Sequence, residues 1–225
     1  FTFRSPDKGM DMMPSIAVLG VAFDGYAPAA AAAAAKKKNK TGAGGMFQTL
    51  DFSVDTSTRV AVVGANGSGK TSLLKLITGQ LEPSSGEVNI HPKLRLGRFD
   101  QHFEDLLPLD LSPVAFLCST YDLQEQDARQ CLGVFGLDGA RHLIRISELS
   151  GGQKARVVFA SLSLMAPHVL VLDEPTNHLD MESVQALIDG IKLFKGGCIL
   201  VSHDARLISE TECDLWVCEG ERNVA

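Results

Sequence analysis

Short apolar runs alternate with amphipathic stretches along the chain, and glycine- and proline-rich turns separate them. Residues 15–23, SIAVLGVAF, suit a strand and follow a lead rich in Pro and Met, which places the end of a linker at residues 1–14 and the start of the fold near Pro14. Leu50 to Val54 predicts a second strand. Val60 to Val63 predicts a third, apolar at every position as a strand covered on both faces must be. A glycine loop then leads into a helix over Lys70 to Ile77, with Gly79 near its end. Residues 87–99 alternate well enough for one or two strands, and residues 104–165 are mostly helical in pattern, broken at Pro108 and Pro113, and read as a separate lobe. Beyond the lobe the pattern predicts a strand Val169 to Leu172, a helix Met181 to Leu193, a strand Cys198 to Val201, a helix near Ala205 and a last strand around Leu215 to Val217. Apolar strands alternating with helices predict an α/β fold with a mainly parallel sheet. No internal repeat is evident.

Residues 27–45, APAAAAAAAKKKNKTGAGG, offer little to bury and are expected to form a mobile surface insertion. Its Lys36, Lys37, Lys38 and Lys40 either touch a phosphate backbone or belong to a solvated loop, the blander of the two readings. A length of 225 residues suits one large domain or two small ones, and 45% hydrophobic with 21% charged residues excludes wholesale disorder. The net charge of −6 argues against nucleic-acid binding through bulk charge, so such a partner must be met locally. The longest apolar stretch, Val157 to Leu172, contains Ser161, Ser163, Pro167 and His168 and falls short of the roughly 20 residues that cross a bilayer. The opening residues carry neither a secretory pattern nor an initial Met, which reads as a piece of a longer chain. An odd set of five cysteines with no CxxC pair points to reduced thiols and a cytoplasmic or nuclear setting. His91, His102, His142, His168 and His178 lack metal-ligand spacing, so no transition-metal site is expected, and Trp216 reads as a packing residue.

The strongest chemical signal is Gly64-Ala65-Asn66-Gly67-Ser68-Gly69-Lys70-Thr71, a GxxxxGK[ST] match set between an apolar strand and a helix. Its glycines let backbone amides turn inward around phosphates, Lys70 reaches the β and γ phosphates, and the Thr71 hydroxyl can ligate magnesium. The apolar run before Asp173 and Glu174 ends a buried strand in two carboxylates, where open α/β sheets hold ligands. Asp173 is expected to meet the magnesium and Glu174 to orient or deprotonate the attacking water. Leu149-Ser150-Gly151-Gly152-Gln153 opens the amphipathic run Ala155 to Leu164, so these small residues fall at a helix N-terminus that attracts an anion.

Taken in this order, the phosphate loop, the LSGGQ stretch and the acid-tipped strand resemble the nucleotide-binding domain of ATP-binding cassette (ABC) proteins over nearly the whole chain. The resemblance implies a P-loop NTPase fold with a parallel sheet core, an antiparallel β subdomain and a helical lobe. It implies ATP and magnesium as ligands, with Gly64, Asn66, Gly67, Ser68, Gly69, Lys70, Thr71 and Ser72 around the nucleotide and Ser150, Gly151, Gly152 and Gln153 presented to a partner's ATP. Gln101 matches the Q-loop glutamine that senses magnesium and water, Asp180 the D-loop, and His203 the switch histidine on the γ phosphate. Tyr26, or alternatively Phe23, matches the aromatic that stacks on adenine.

Within that superfamily four stretches resemble the ABC-F proteins: Glu174-Pro175-Thr176-Asn177-His178-Leu179-Asp180, Leu96 to Phe103, Glu148 to Arg156, and Val201 to Arg206. Members of that group carry paired ABC domains, lack membrane spans and act on ribosomes in the cytoplasm. The lead residues 1–14 resemble the end of the linker that precedes the second ABC domain of eukaryotic members, which implies that C-terminal domain, closing head-to-tail on the first or on another copy of itself, with ribosome or ribosomal RNA as partner. Departures from the pattern are the long spacing from Tyr26 to Gly64, Asp24 before Gly25, and Thr71-Ser72 in place of Ser-Thr, the last chemically neutral. Two readings compete: the ATPase subunit of a membrane transporter, and a module that holds nucleotide without turnover, against which Glu174 and His203 speak.

Overall fold

The computed structural model describes residues 1–3, 14–23 and 47–219. Tyr26, the expected insertion 27–45 and most of the expected linker lie outside the described residues.

Strands β1 (Ile16–Phe23) and β2 (Phe47–Val54) pair antiparallel, and β3 (Arg59–Gly64) runs through the glycine loop into α1 (Lys70–Ile77). β4 (Ser85–Ile90) returns to the other side of β1, with Ile16 opposite both Val54 and Ile90, giving a three-stranded sheet ordered β2-β1-β4. β5 (Leu96–Phe99) belongs to the other sheet, so the alternation over 87–99 covers two strands that never pair. After a 3-10 turn at Phe103–Leu106 come α2 (Pro113–Tyr121), α3 (Glu125–Val134) and α4 (Gly151–Met165). β6 (Val169–Asp173), α5 (Met181–Leu193), β7 (Gly197–Val201), α6 (Ala205–Glu210) and β8 (Asp214–Cys218) complete the order. The second sheet is parallel throughout and ordered β5-β6-β7-β3-β8.

Alternation across the pleat divides the apolar strands between two cores. Val169, Val171, Ile199 and Val201 join α1, β1 and β2 on one face, while Leu170, Leu172, Cys198 and Leu200 join the helices on the other. Both faces of β6 and β7 are thereby buried, which is why their sequences contain no polar alternation.

Three expectations change. Pro113 opens α2 instead of breaking a helix: it sits at the first helical position, where a missing N–H costs nothing, and Ser112 caps the helix by accepting the Ala115 amide at 3.2 Å. The helical stretch has no core of its own. Phe159 of α4 stacks on Phe99 of β5 at 4.6 Å, and residues from Phe103 to Leu162 share one cluster with Leu170, Leu172 and Leu187. Finally, packing takes in residues ahead of Pro14: Phe1 stacks on Phe135 at 5.1 Å, buried Phe3 lies 5.8 Å from the same ring, and Ser163 Oγ donates to the Thr2 carbonyl at 2.8 Å. Two aromatics in three residues are too short a run to register as an element.

All five cysteines are free thiols, and burial pushes the Cys198 thiol up to about 12, as befits a small core hydrophobe. Trp216 packs edge-on against Phe52 at 4.6 Å. Among the described residues no helix is long and apolar enough to cross a membrane.

Candidate functional site

The parallel strands β3, β6 and β7 end on one edge of the sheet, and the loops that leave them enclose a cleft of about 620 Å³. Asn66, Gly67, Gly69, Lys70, Thr71, Ser72, Gln101, Asp173, Glu174 and His203 all line it, drawn from four separate stretches of sequence. Asn177, from the stretch Asn177-His178-Leu179-Asp180 that resembles the D-loop, also lines it, as does Val201, which had no role assigned from the sequence.

On the loop side, Gly67 and Gly69 have φ of 81° and 99°, a left-handed backbone that other residues enter at a cost. Gly69 caps α1 without a side chain, and the first turn of that helix holds no acid, so its amides and its dipole face the cleft uncompensated. Lys70 is 8% exposed, with Nζ donating to the carbonyls of Gly64 at 2.9 Å and Ala65 at 3.0 Å. Its ammonium is thus held over the loop before any anion arrives. Ser68 is buried within the loop, and among the described residues its Oγ has no hydrogen-bond partner.

Asp173 ends β6 at 4% exposure, and the Thr71 hydroxyl donates to its Oδ2 at 3.2 Å. This contact spans two non-adjacent strands, since β7 lies between β6 and β3. Burial pushes the Asp173 carboxyl above the usual range, the Thr71 bond opposes that, and the charges of Glu174 and Asp100 add to it against Lys70. A carboxylate destabilised this way gains from a cation. Among the described residues no group of three or more His, Cys, Asp or Glu is placed to hold a metal ion by itself. An oxygen set of one carboxylate, one hydroxyl and the Gln101 amide fits magnesium, which keeps its remaining positions for water and phosphate. Beside it, Glu174 has φ of 49°, its amide donates to Val201 O at 2.9 Å, and its Oε1 lies 3.6 Å from Nε2 of His203.

The Ser150 to Gln153 turn does not line this cleft. It forms a capping box: Ser150 Oγ accepts the Gln153 amide at 3.3 Å and Gln153 Oε1 accepts the Ser150 amide at 3.1 Å. A methyl group on Gly152 would stand 2.6 Å from the His178 carbonyl, so only glycine lets the turn approach the loop before Asp180 this closely.

The sequence reading missed Arg156, which ties that helix to its surroundings. Its guanidinium donates to Gly136 O at 2.8 Å, Asp180 Oδ2 at 2.7 Å and Ser183 Oγ at 2.6 Å. Asp180 does not reach the cleft but caps α5, accepting the Ser183 amide on Oδ1 at 2.8 Å. The bonds from Ser183, backbone first, and then the Arg156 charge hold the Asp180 carboxyl below its usual value. A lowered folded value means that the resulting stability is present at neutral pH and lost as pH falls through that value. The thermal midpoint should therefore decline below about pH 4, near the unfolded carboxyl value, and Asp180→Asn, which keeps a capping oxygen, should flatten that limb in a melting series from neutral to acid. An unchanged acid limb in the variant would remove this role from Asp180.

A family model described as ABC transporter matches residues 47–177, a stretch that contains the phosphate loop, Gln101, the capping turn, Asp173 and Glu174. The chain belongs to the ABC transporter family. It is 52% identical over 180 residues to ABC transporter F family member 4 of Arabidopsis thaliana, covering 76% of this chain and 25% of that protein. It is 46% identical over 178 residues to ATP-binding cassette sub-family F member 2 of Mus musculus, covering 78% and 28%. The chain thus spans about a quarter of the length of the curated relatives it matches. In fold it is similar to a dimeric ATP-binding cassette in a post-hydrolysis state bound to ADP and Pi, with a TM-score of 0.71, 20% identity, and coverage of 92% of this chain and 97% of that one. A bacterial ABC exporter with ATP bound gives the same TM-score over 96% of this ABC domain and 38% of its own chain.

Proposed function

We propose that this chain is an ABC-F ATPase domain that binds ATP with magnesium, hydrolyses it to ADP and phosphate in a site completed by a second ABC domain, and serves a cytoplasmic protein acting on ribosomes. The observation that carries the reading is the single cleft joining Lys70, Thr71 and Asp173 to the Glu174–His203 pair.

The loop amides and the N-terminus of α1 take the phosphates, with Lys70 turning from the Gly64 and Ala65 carbonyls toward the β and γ oxygens. Thr71, Asp173 and Gln101 would hold magnesium, which supplies charge neutralisation on the phosphates when bound. Glu174 orients a water and accepts its proton as the water oxygen bonds to the γ phosphorus, while the bond from that phosphorus to the bridging oxygen breaks and ADP leaves with the electron pair. His203 donates a hydrogen bond to the γ phosphate. Tyr26 supplies the adenine contact.

Because Ser150, Gly151, Gly152 and Gln153 lie away from this cleft, they are available to the nucleotide of a facing ABC domain, either elsewhere in the same protein or in a second copy. The dimeric state of the post-hydrolysis neighbour supports that pairing. ATP then closes the pair and phosphate release reopens it, with Asp180 at the contact.

The ribosomal part of the reading rests on the F-type relatives. Its test is sedimentation of full-length Glu174→Gln protein from cell extract on a sucrose gradient, with and without ATP. ATP-dependent movement into ribosomal fractions supports a translation factor bound in its closed state. Recovery with membranes instead would transfer the same ATP site to a transporter subunit.

A further inference from the structure

We propose that Lys154 and Glu104 are positioning residues for ATP hydrolysis, an ion-paired clasp that joins the loop of Gln101 to the Ser150–Gln153 turn so that the two shift together. This inference rests on the ATPase reading above and adds to it a connection made by this chain's own side chains.

Lys154 Nζ donates to Glu104 Oε2 at 2.6 Å, with the lysine side chain only 14% exposed and the glutamate 41%. Glu104 belongs to the 3-10 turn Phe103–Leu106 that directly follows the Gln101 loop. That turn is anchored from below, since buried Phe103 stacks on Phe99 at 4.7 Å and meets His178 edge-on at 5.6 Å. Lys154 directly follows Gln153, and its amide donates to the Ser150 carbonyl at 2.9 Å. The side chain that grips Glu104 thus grows from the same turn of helix as the capping box.

The clasp lies against the start of α4. A methyl group on Gly151 would stand 3.5 Å from Glu104 Oε1, so the carboxylate also faces the first turn of α4, where the helix dipole favours negative charge. One residue on, Gly152 abuts the His178 carbonyl. Three segments meet here in close packing: the turn after Gln101, the start of α4 and the loop before Asp180. Packed contacts of this kind pass a displacement on instead of absorbing it. When Gln101 shifts toward the γ phosphate, Glu104 carries Lys154 with it and re-aims the turn offered to the partner's nucleotide. The glutamate end of the pair reaches water, which screens the attraction and limits what it adds to folding stability, so turnover is read beside melting.

The test is a charge swap in the full-length protein, with Lys154→Glu, Glu104→Lys, the double variant, and Lys154→Met as a neutral control. Each single change should lower kcat about fivefold while leaving the melting temperature and the affinity for a fluorescent ATP analogue near wild type. The double variant should recover to within about twofold, the signature of a direct pair. Singles with normal turnover, a swap no better than its parents, or melting temperatures that fall in step with kcat would each overturn the clasp. Hydrogen exchange without nucleotide supplies an arm independent of catalysis. Lys154→Met should speed exchange at residues 100–104 and 150–153 together, and the swap should restore both. Faster exchange at one segment alone, or at neither, overturns the coupling. A wild-type protein that binds and hydrolyses no ATP would sink the ATPase reading itself, and the exchange arm would still decide the clasp.

Discussion

Full-length protein carrying Glu174→Gln should hydrolyse ATP about 10²–10⁴-fold more slowly, the usual worth of a positioned general base, and should bind ATP with unchanged affinity. The substitution keeps the shape of the side chain and removes only its ability to take a proton. The backbone around Glu174 is committed to that placement. Its φ of 49° lies where a non-glycine residue costs on the order of 1–3 kcal/mol, and the bonds from the Glu174 amide to Val201 O and from the Asn177 amide to Glu174 O hold it there. The strain turns a carboxylate that is only 14% exposed toward His203, 3.6 Å away, at the edge of the cleft. Steady-state turnover beside equilibrium binding of a fluorescent ATP analogue separates the two effects. Normal turnover in the variant would move the base from Glu174 to another group, and a loss of binding would make Glu174 a structural wall of the cleft instead.

The largest loss of stability is expected from Phe159→Ala, about 3–5 kcal/mol in urea denaturation. Phe159 is fully buried in α4, lies almost parallel to Phe99 at 4.6 Å and 8°, and touches Phe1 at 5.2 Å and Phe3 at 6.2 Å. Truncation opens a cavity between the helix that begins at Gly151 and the strand that leads to Gln101, so the two lose their common support. Unfolding at a lower urea midpoint with an unchanged slope is the expected form. A loss under about 1 kcal/mol would mean that the surrounding rings collapse into the space and that this aromatic cluster is not the joint between helix and sheet.

The phosphate loop was legible because its signals are local. Gly67 and Gly69 supply left-handed backbone within the loop itself, and Lys70 grips carbonyls five and six residues back. Helix α5 was legible end to end for the same reason, since its cap Asp180 bonds to Ser183 three residues on. Contacts between residues far apart were not legible. Nothing near Lys154 names Glu104, 50 residues away, and nothing near Phe1 announces that its ring stacks on Phe135. Arg156 stood inside a stretch whose family resemblance was clear, yet its three partners come from separate segments and carry no shared pattern.

The amino-acid sequence by itself determined the elements, the glycine loop, the acid-tipped strand and the membership in the ABC transporter family, because each rests on periodicity, turn geometry or a motif within a few residues. Tertiary structure alone decided that β7 separates β6 from β3 while Thr71 still reaches Asp173, that the helical stretch shares its core with the sheet, and that the turn at Ser150 abuts the loop before Asp180. Strand order and side-chain junctions of this kind depend on how buried surfaces from distant segments fit at close-packed density, a property of the whole fold and of no single stretch of it.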